Sequence, residues 1–183
     1  IRDSAGIVPD VILISKAIGG SQPMSVVVYD KDLDKWGPGA HSGTFRGNQL
    51  AMAAGTVVMK RISKPEFLAD VTRKGEMMKD RFLKLQQEVS IIGDVRGKGL
   101  MIGVEFIDPN GPRDLMDVPE PSEEVAALVQ RGCFENGLIM ERGGRNGSVM
   151  RCLCALNISD ANIDTGMTIF ENVVREIDEE YRN

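Results

Sequence analysis

Apolar residues fall into two kinds of pattern along the chain. Short continuous runs at Val11 to Ile14 and Ser25 to Tyr29 ("SVVVY") are rich in β-branched residues. They predict strands buried on both faces. Gly19, Gly20 and Pro23 lie between them and predict a sharp connection. "DKDLDKWGPGAHSGTFRGN" is polar and glycine-punctuated, a loop with one helical turn near residues 32–36. Asn48 is placed to cap a helix over "QLAMAAGTVVMKRI". Beyond it the period changes. From a helix start near Pro65, Phe67, Val71, Met78, Phe82, Leu85 and Val89 follow at spacings of 4, 7, 4, 3 and 4, one apolar stripe. "GDVRGKGLMIGVEF" (93–106) reads as strand, turn, strand, and residues 108–122, rich in Pro, Gly and Asp, as a loop. Ser122 can cap a helix with Glu123 and Glu124 in its first turn and Gly137 at its end. Residues 138–140 and 149–156 predict strands around a glycine-rich turn. Ser159 then caps a last helix with Ile163, Met167, Phe170, Val174, Ile177 and Tyr181 on one face.

The pattern shifts near residue 63. Before it, strand–loop–helix order resembles part of an α/β sheet domain; after it, helices and strands alternate as in an α+β unit. The chain of 183 residues begins at Ile1, with "IRDSAGIVPD" as a polar lead-in that has no earlier element to pair with. We expect it to be the C-terminal part of a longer protein, with its first domain incomplete. The net charge of −5 argues against nucleic acid or an anionic membrane as partner. No apolar run reaches the roughly 18 residues of a membrane span, and the N-terminus has no secretory pattern. Cys133, Cys152 and Cys154 include no CxxC pair, which suits reduced, mostly buried thiols in the cytoplasm. The ten methionines fall mostly on helix stripes or strands, as core fillers.

Three residues could carry chemistry. Lys16 follows a strand directly. It is either a solvated charge or, screened by apolar neighbours, a lysine of lowered pKa that forms a Schiff base with an aldehyde cofactor. Thr44 in "HSGTFRGN" either satisfies a turn or binds phosphate near a helix start, where free N–H groups favour anions. Arg151 interrupts the apolar "VMRCLCAL" and needs a carboxylate, either internal or from a ligand. His41, the single histidine, leaves little basis for a zinc site or a Ser-His-Asp triad. "RGKGLMIG" lacks the phosphate-loop spacing and predicts a hairpin turn.

"PDVILISKAIGG", "HSGTFRGNQLAMAAG", "DVRGKGLMIGVEF" and "GLIMERGGRNGSVMR" occur in the order found in class III aminotransferases. The resemblance spans nearly the whole chain. It implies an α/β fold, the C-terminal part of a fold type I pyridoxal-phosphate transferase. Residues 1–63 would be the end of the large cofactor-binding domain and residues 64–183 the small α+β domain. Within the class, "GAHSGTFRGNQLAMAAG" and "ERGGRNGSV" are most similar to members acting on 2,4-diaminobutyrate with 2-oxoglutarate. By that resemblance Lys16 is the catalytic lysine that holds pyridoxal 5'-phosphate, and Thr44 reaches the cofactor phosphate of a neighbouring subunit in a homodimer. Arg151 binds a substrate carboxylate, chiefly that of glutamate or 2-oxoglutarate, while Ser15 and Gly43 flank and shape the cofactor site. No metal is implied. Other fold type I reactions, decarboxylation or amine migration, and a purely structural role for the isolated piece stay open. Two departures stand out. The family usually has phenylalanine, leucine and two prolines after the arginine, where this chain has Cys152, Leu153, Cys154 and Ala155. The upstream half of the family pattern, which supplies the phosphate cup, the ring-stacking aromatic and the acid for the pyridine nitrogen, is absent from these residues.

Overall fold

A computed structural model describes residues 6–182; residues 1–5 of the lead-in lie outside it. The chain divides into two compact units between Leu68 and Ala69.

In the first unit, β1 (Val11–Ser15) and β2 (Ser25–Tyr29) pair antiparallel, with Val11 opposite Tyr29 and Ser15 opposite Ser25. A single 3-10 turn, Lys16–Gly19, leaves the end of β1. The helical turn expected at 32–36 forms slightly earlier, as a 3-10 turn at Lys31–Leu33 capped by Asp30. Helix α1 (Gln49–Ile62) begins where the sequence places it, because the Asn48 side chain accepts from the N–H groups of Leu50 and Ala51. The expectation of doubly buried strands fails. Leu13 is 76% exposed, and Val11, Val27 and Val28 are close to half exposed. Their composition suits a central strand, yet the sheet holding them has only two members among the described residues.

The second unit carries the hydrophobic core. Helix α2 (Pro65–Glu88) leads into a four-stranded antiparallel sheet of order β3-β4-β6-β5. Its strands are β3 (Ile92–Lys98), β4 (Met101–Phe106), β5 (Glu141–Gly143) and β6 (Val149–Cys152). Helices α3 (Glu123–Glu135) and α4 (Asp160–Arg182) complete it. The predicted stripes meet here: Met78, Phe82 and Leu85 of α2 and Ile163, Met167, Phe170 and Val174 of α4 are buried with Ile102, Val104 and Phe106 of β4. Phe170 sits edge-on to Phe82 at 5.2 Å and tilted against Phe106 at 6.3 Å. Arg81 joins α2 to α4 through Glu171 (2.7 Å) and Asp164 (2.8 Å). Ser122 and Ser159 cap α3 and α4 as expected, through the N–H groups of Val125 and Asn162.

Two strand boundaries need correction. Residues 138–140 are not a strand: the Leu138 N–H bonds the Cys133 carbonyl at 2.8 Å, closing α3 past Gly137 and removing that donor from any ladder. The strand begins instead at Glu141. β6 stops at Cys152 rather than 156 because β4 and β5 offer it partners only from Val149 to Cys152. The methionine expectation also needs amending. Met78, Met150 and Met167 are buried, whereas Met52, Met59, Met101 and Met116 are exposed. Falling on a helix or strand does not place a residue on its inner face.

One buried acid was not singled out by its spacing. Asp178 is 2% exposed on α4. Its Oδ1 accepts from the Ser90 N–H (2.6 Å), the Ser90 hydroxyl (2.7 Å) and the Ile91 N–H (3.2 Å), and its Oδ2 pairs with Arg182 at 2.6 Å. It thereby satisfies the backbone between α2 and β3. Asp178→Asn keeps the shape but turns an NH2 toward groups that donate. The expected cost is about 1–3 kcal/mol, read as a lower urea midpoint at unchanged slope.

Candidate active site

Lys16 stands at the joint between β1 and the turn that follows. Ser15 before it is extended (φ −142°), and Lys16 itself is left-handed at φ 60°. A non-glycine residue in that region carries strain of order 1–3 kcal/mol, which persists only where its surroundings over-determine it. Here they do. The Gly20 N–H closes the turn on the Ala17 carbonyl at 3.0 Å, and Ile18 and Gly19 are buried. Behind the turn lies α1, where Gly55 is the point of contact: a Cβ there would stand 2.7 Å from the Ile18 carbonyl oxygen. The strained turn is thus seated on a helix by a backbone-to-backbone approach that only glycine permits. The lysine side chain itself is exposed. Of the two settings the sequence leaves open for it, the described residues give the solvated one, because β1 pairs with β2 alone.

Thr44 lies in a tight turn in which the Arg46 N–H bonds the Gly43 carbonyl at 3.1 Å, and both Gly43 and Thr44 are exposed. The hydroxyl is free of the helix that follows. The free N–H groups expected at that helix start are not on offer to an anion in full, since Asn48 takes those of Leu50 and Ala51. His41 stacks near Trp36, ring centroids 5.3 Å apart, and so is engaged within the same loop.

Arg151 belongs to the second unit. It is the third residue of β6, directly opposite both Gly103 of β4 and Glu141 of β5. Its terminal amino group donates to Glu141 Oε1 at 2.5 Å, with both side chains between 40 and 50% exposed. An ion pair this open contributes about 0–1 kcal/mol. The guanidinium lies across Gly143, where a Cβ would come within 2.9–3.1 Å of three of its atoms. Its Nε is buried and has no partner among the described residues. A buried donor left in that state costs about 1–3 kcal/mol.

Both members of the pair line a cavity of about 560 Å³ walled by apolar residues, among them Leu138, Met140, Leu153, Ile158 and Phe170. They are the only ionic groups in that lining among the described residues. Cys152 and Cys154 line it too, where the family pattern has other residues. Burial pushes the Cys152 thiol up to about 12 and the Cys133 thiol to about 11, so neither supplies a thiolate at neutral pH. Sequence reasoning found Arg151 but missed Glu141 and Gly143. The signal was present in a hairpin register: an acid ten residues before an arginine, across a glycine-rich turn, becomes its cross-strand neighbour.

Comparison with known proteins places these features in context. The family described as aminotransferase class-III matches residues 2–174. The diaminobutyrate–2-oxoglutarate aminotransferase of Rhizobium meliloti (strain 1021) is 48% identical over 160 residues, covering 87% of this chain and 34% of its own length. The protein of the same name from Haemophilus influenzae is 41% identical over 172 residues, covering 94% of this chain and 38% of its own. The chain therefore spans little more than a third of these curated relatives. Among solved structures, the ornithine δ-aminotransferase of Plasmodium falciparum superposes with a TM-score of 0.79 at 23% identity, over 98% of this chain and 43% of that one. That likeness carries the fold.

Proposed function

The chain belongs to the class-III aminotransferase family, and from that premise we propose that the protein containing it transfers the terminal amino group of L-2,4-diaminobutyrate to 2-oxoglutarate. The products are aspartate 4-semialdehyde and glutamate. The observation that carries this reading is the 48% identity, across 160 residues, to a protein named for that reaction. Residues 1–63 then form the end of the large cofactor-binding domain and residues 64–183 the small domain. The working protein is a cytoplasmic homodimer that exchanges amino acid and 2-oxo acid substrates.

The chemistry of the donor set fits pyridoxal 5'-phosphate. An aldehyde needs an accessible primary amine, and Lys16 offers one from a strained, well-seated turn. A phosphate needs a hydroxyl free of helix capping, and Thr44 offers one beside Gly43. When bound, the cofactor supplies an electron sink for the carbon that carries the reacting amine. The remaining work belongs to this chain. Lys16 Nζ holds the cofactor and then moves a proton to or from the reacting carbon as general base and acid. Ser15 and the left-handed Lys16 backbone set the direction in which that amine leaves the strand. Thr44 and Gly43 hold the phosphate of the neighbouring subunit's cofactor, and Arg151 takes the substrate carboxylate.

The test is direct. The full-length protein, given 2,4-diaminobutyrate and 2-oxoglutarate, is expected to form glutamate and aldehyde in equal amounts. Release of carbon dioxide, or turnover of the diamine without consumption of 2-oxoglutarate, would overturn the assignment in favour of another fold type I reaction.

A further inference from the structure

We propose that Arg142 is a positioning residue for Arg151: it fixes the register of the β5–β6 hairpin and so sets how the Arg151 guanidinium meets a carboxylate. This rests on the role proposed above for Arg151, and every residue involved belongs to the second unit. Arg142 is the middle residue of β5, opposite Met150 of β6. Strand alternation turns it away from the face that carries Glu141, Gly143 and Arg151. It acts on that face through the backbone.

The hairpin needs an external tie. β5 has only three residues and stands at the edge of the sheet, with β6 its one neighbour. The turn that joins them is weakly closed. Gly144, Asn146 and Gly147 all have positive φ. The Gly147 N–H reaches the Gly144 carbonyl, and the Ser148 N–H the Arg145 carbonyl, only at 3.3 Å, while the Ser148 hydroxyl adds one bond to Arg145 at 2.9 Å. One residue of slip in so short a ladder would carry Glu141 and Gly143 to the opposite face. Arg151 would then lose the carboxylate beside it and the bare backbone that its guanidinium lies across, where a Cβ would come within 2.9–3.1 Å.

Arg142 supplies the tie. Its Nη1 donates to the Gly147 carbonyl at 3.2 Å and to Glu123 Oε1 at 3.1 Å, from a side chain only 24% exposed. Glu123 opens α3, so one guanidinium joins strand, turn and helix. The turn is shaped to receive it: a Cβ on Gly147 would stand 2.9 Å from Nη1. Arg142 does not line the cavity at Arg151, so its effect on a ligand there passes through Arg151.

The experiment uses the full-length holoenzyme, with 2-oxoglutarate as acceptor and glutarate, a dicarboxylate without a reacting group, as competitor. In Arg142→Ala the KM for 2-oxoglutarate and the inhibition constant of glutarate are both expected to rise about tenfold, with kcat at saturation within about twofold of wild type. Neither constant depends on how much of a preparation is folded. Arg142→Lys should recover part of the loss, because an ammonium can reach one of the two acceptors. Glu123→Gln changes a 65% exposed side chain and leaves the Gly147 bond in place, and should raise both constants about two- to threefold. With Arg151 already replaced by alanine, Arg142→Ala should add nothing. Unchanged constants in an active Arg142→Ala enzyme overturn the role of Arg142, as does an equal rise in the Arg151→Ala background; either result leaves Arg151 its carboxylate. Should Arg142→Ala yield no active enzyme, unchanged constants in both Arg142→Lys and Glu123→Gln overturn it equally. An Arg151→Ala enzyme with an unaltered KM for 2-oxoglutarate overturns the roles of both arginines.

Discussion

Replacing Lys16 by alanine is expected to lower transamination by the full-length protein at least about 10³-fold and to abolish the visible absorption of covalently held cofactor. Two losses combine in that one change. On the proposed assignment, the amine that would hold the cofactor disappears, and with it the group that would move the proton on the reacting carbon. They can be separated. A small primary amine added to the medium can restore proton transfer but not the protein attachment. Partial rescue of turnover by methylamine, without return of the protein-bound absorption, is the expected result. Because the Lys16 side chain is exposed and its backbone is left-handed, alanine removes no core packing and keeps the strained conformation. The melting temperature should move little. A large fall in stability together with retained activity would show that Lys16 holds the fold rather than the cofactor.

Phe170→Ala is expected to be the most destabilising single change in the second unit, at about 3–5 kcal/mol. The ring is 1% exposed and sits between Phe82 and Phe106, where it joins both long helices to the sheet. Removing it takes away two aromatic contacts as well as the buried area, and the stiff strand β4 cannot move in to fill the space. The ring also lines the cavity at Arg151, so the void opens into that space instead of collapsing. The measurement is chemical unfolding against wild type. Phe170→Leu, which keeps most of the volume, should recover more than half of the loss. Equal losses for alanine and leucine would mean that the site depends on ring geometry rather than on filled volume.

Much of this was legible in the chain itself, for identifiable reasons. Helices α1 to α4 were placed closely because each has a chemical start signal (Asn48, Pro65, Ser122, Ser159) ahead of its apolar periodicity. The β3–β4 hairpin was legible because glycine punctuates two alternating runs. What failed shares one cause. Periodicity reports which residues want burial, not what is present to bury them. β1 and β2 read as central strands yet stand exposed, and the candidate cofactor-binding residues Ser15, Lys16, Gly43 and Thr44 all fall on that unit. Residues 138–140 look like a strand by composition, but a helix ending needed the Leu138 N–H first. Of the site, Lys16, Thr44 and Arg151 stood out because their types are unusual for their settings. Glu141 did not, since an acid beside a glycine turn is unremarkable until the register puts it opposite an arginine. Asp178 escaped for a similar reason: an acid in a charged helix tail resembles a solvated one until its backbone partners fold beneath it.

The glycine contact between α1 and the lysine-bearing turn has a mechanical consequence. A helix is stiff along its axis, and at Gly55 this one meets the Ile18 carbonyl backbone to backbone, with the Met24 side chain packed beside the contact. The Ile18 carbonyl, two residues from Lys16, therefore cannot move toward α1 without displacing the helix backbone at Gly55. The same helix is fixed at its start by Asn48, four residues after Thr44. Thr44 and Lys16 thus flank the same helix, one just before its start and the other opening the turn seated on its middle.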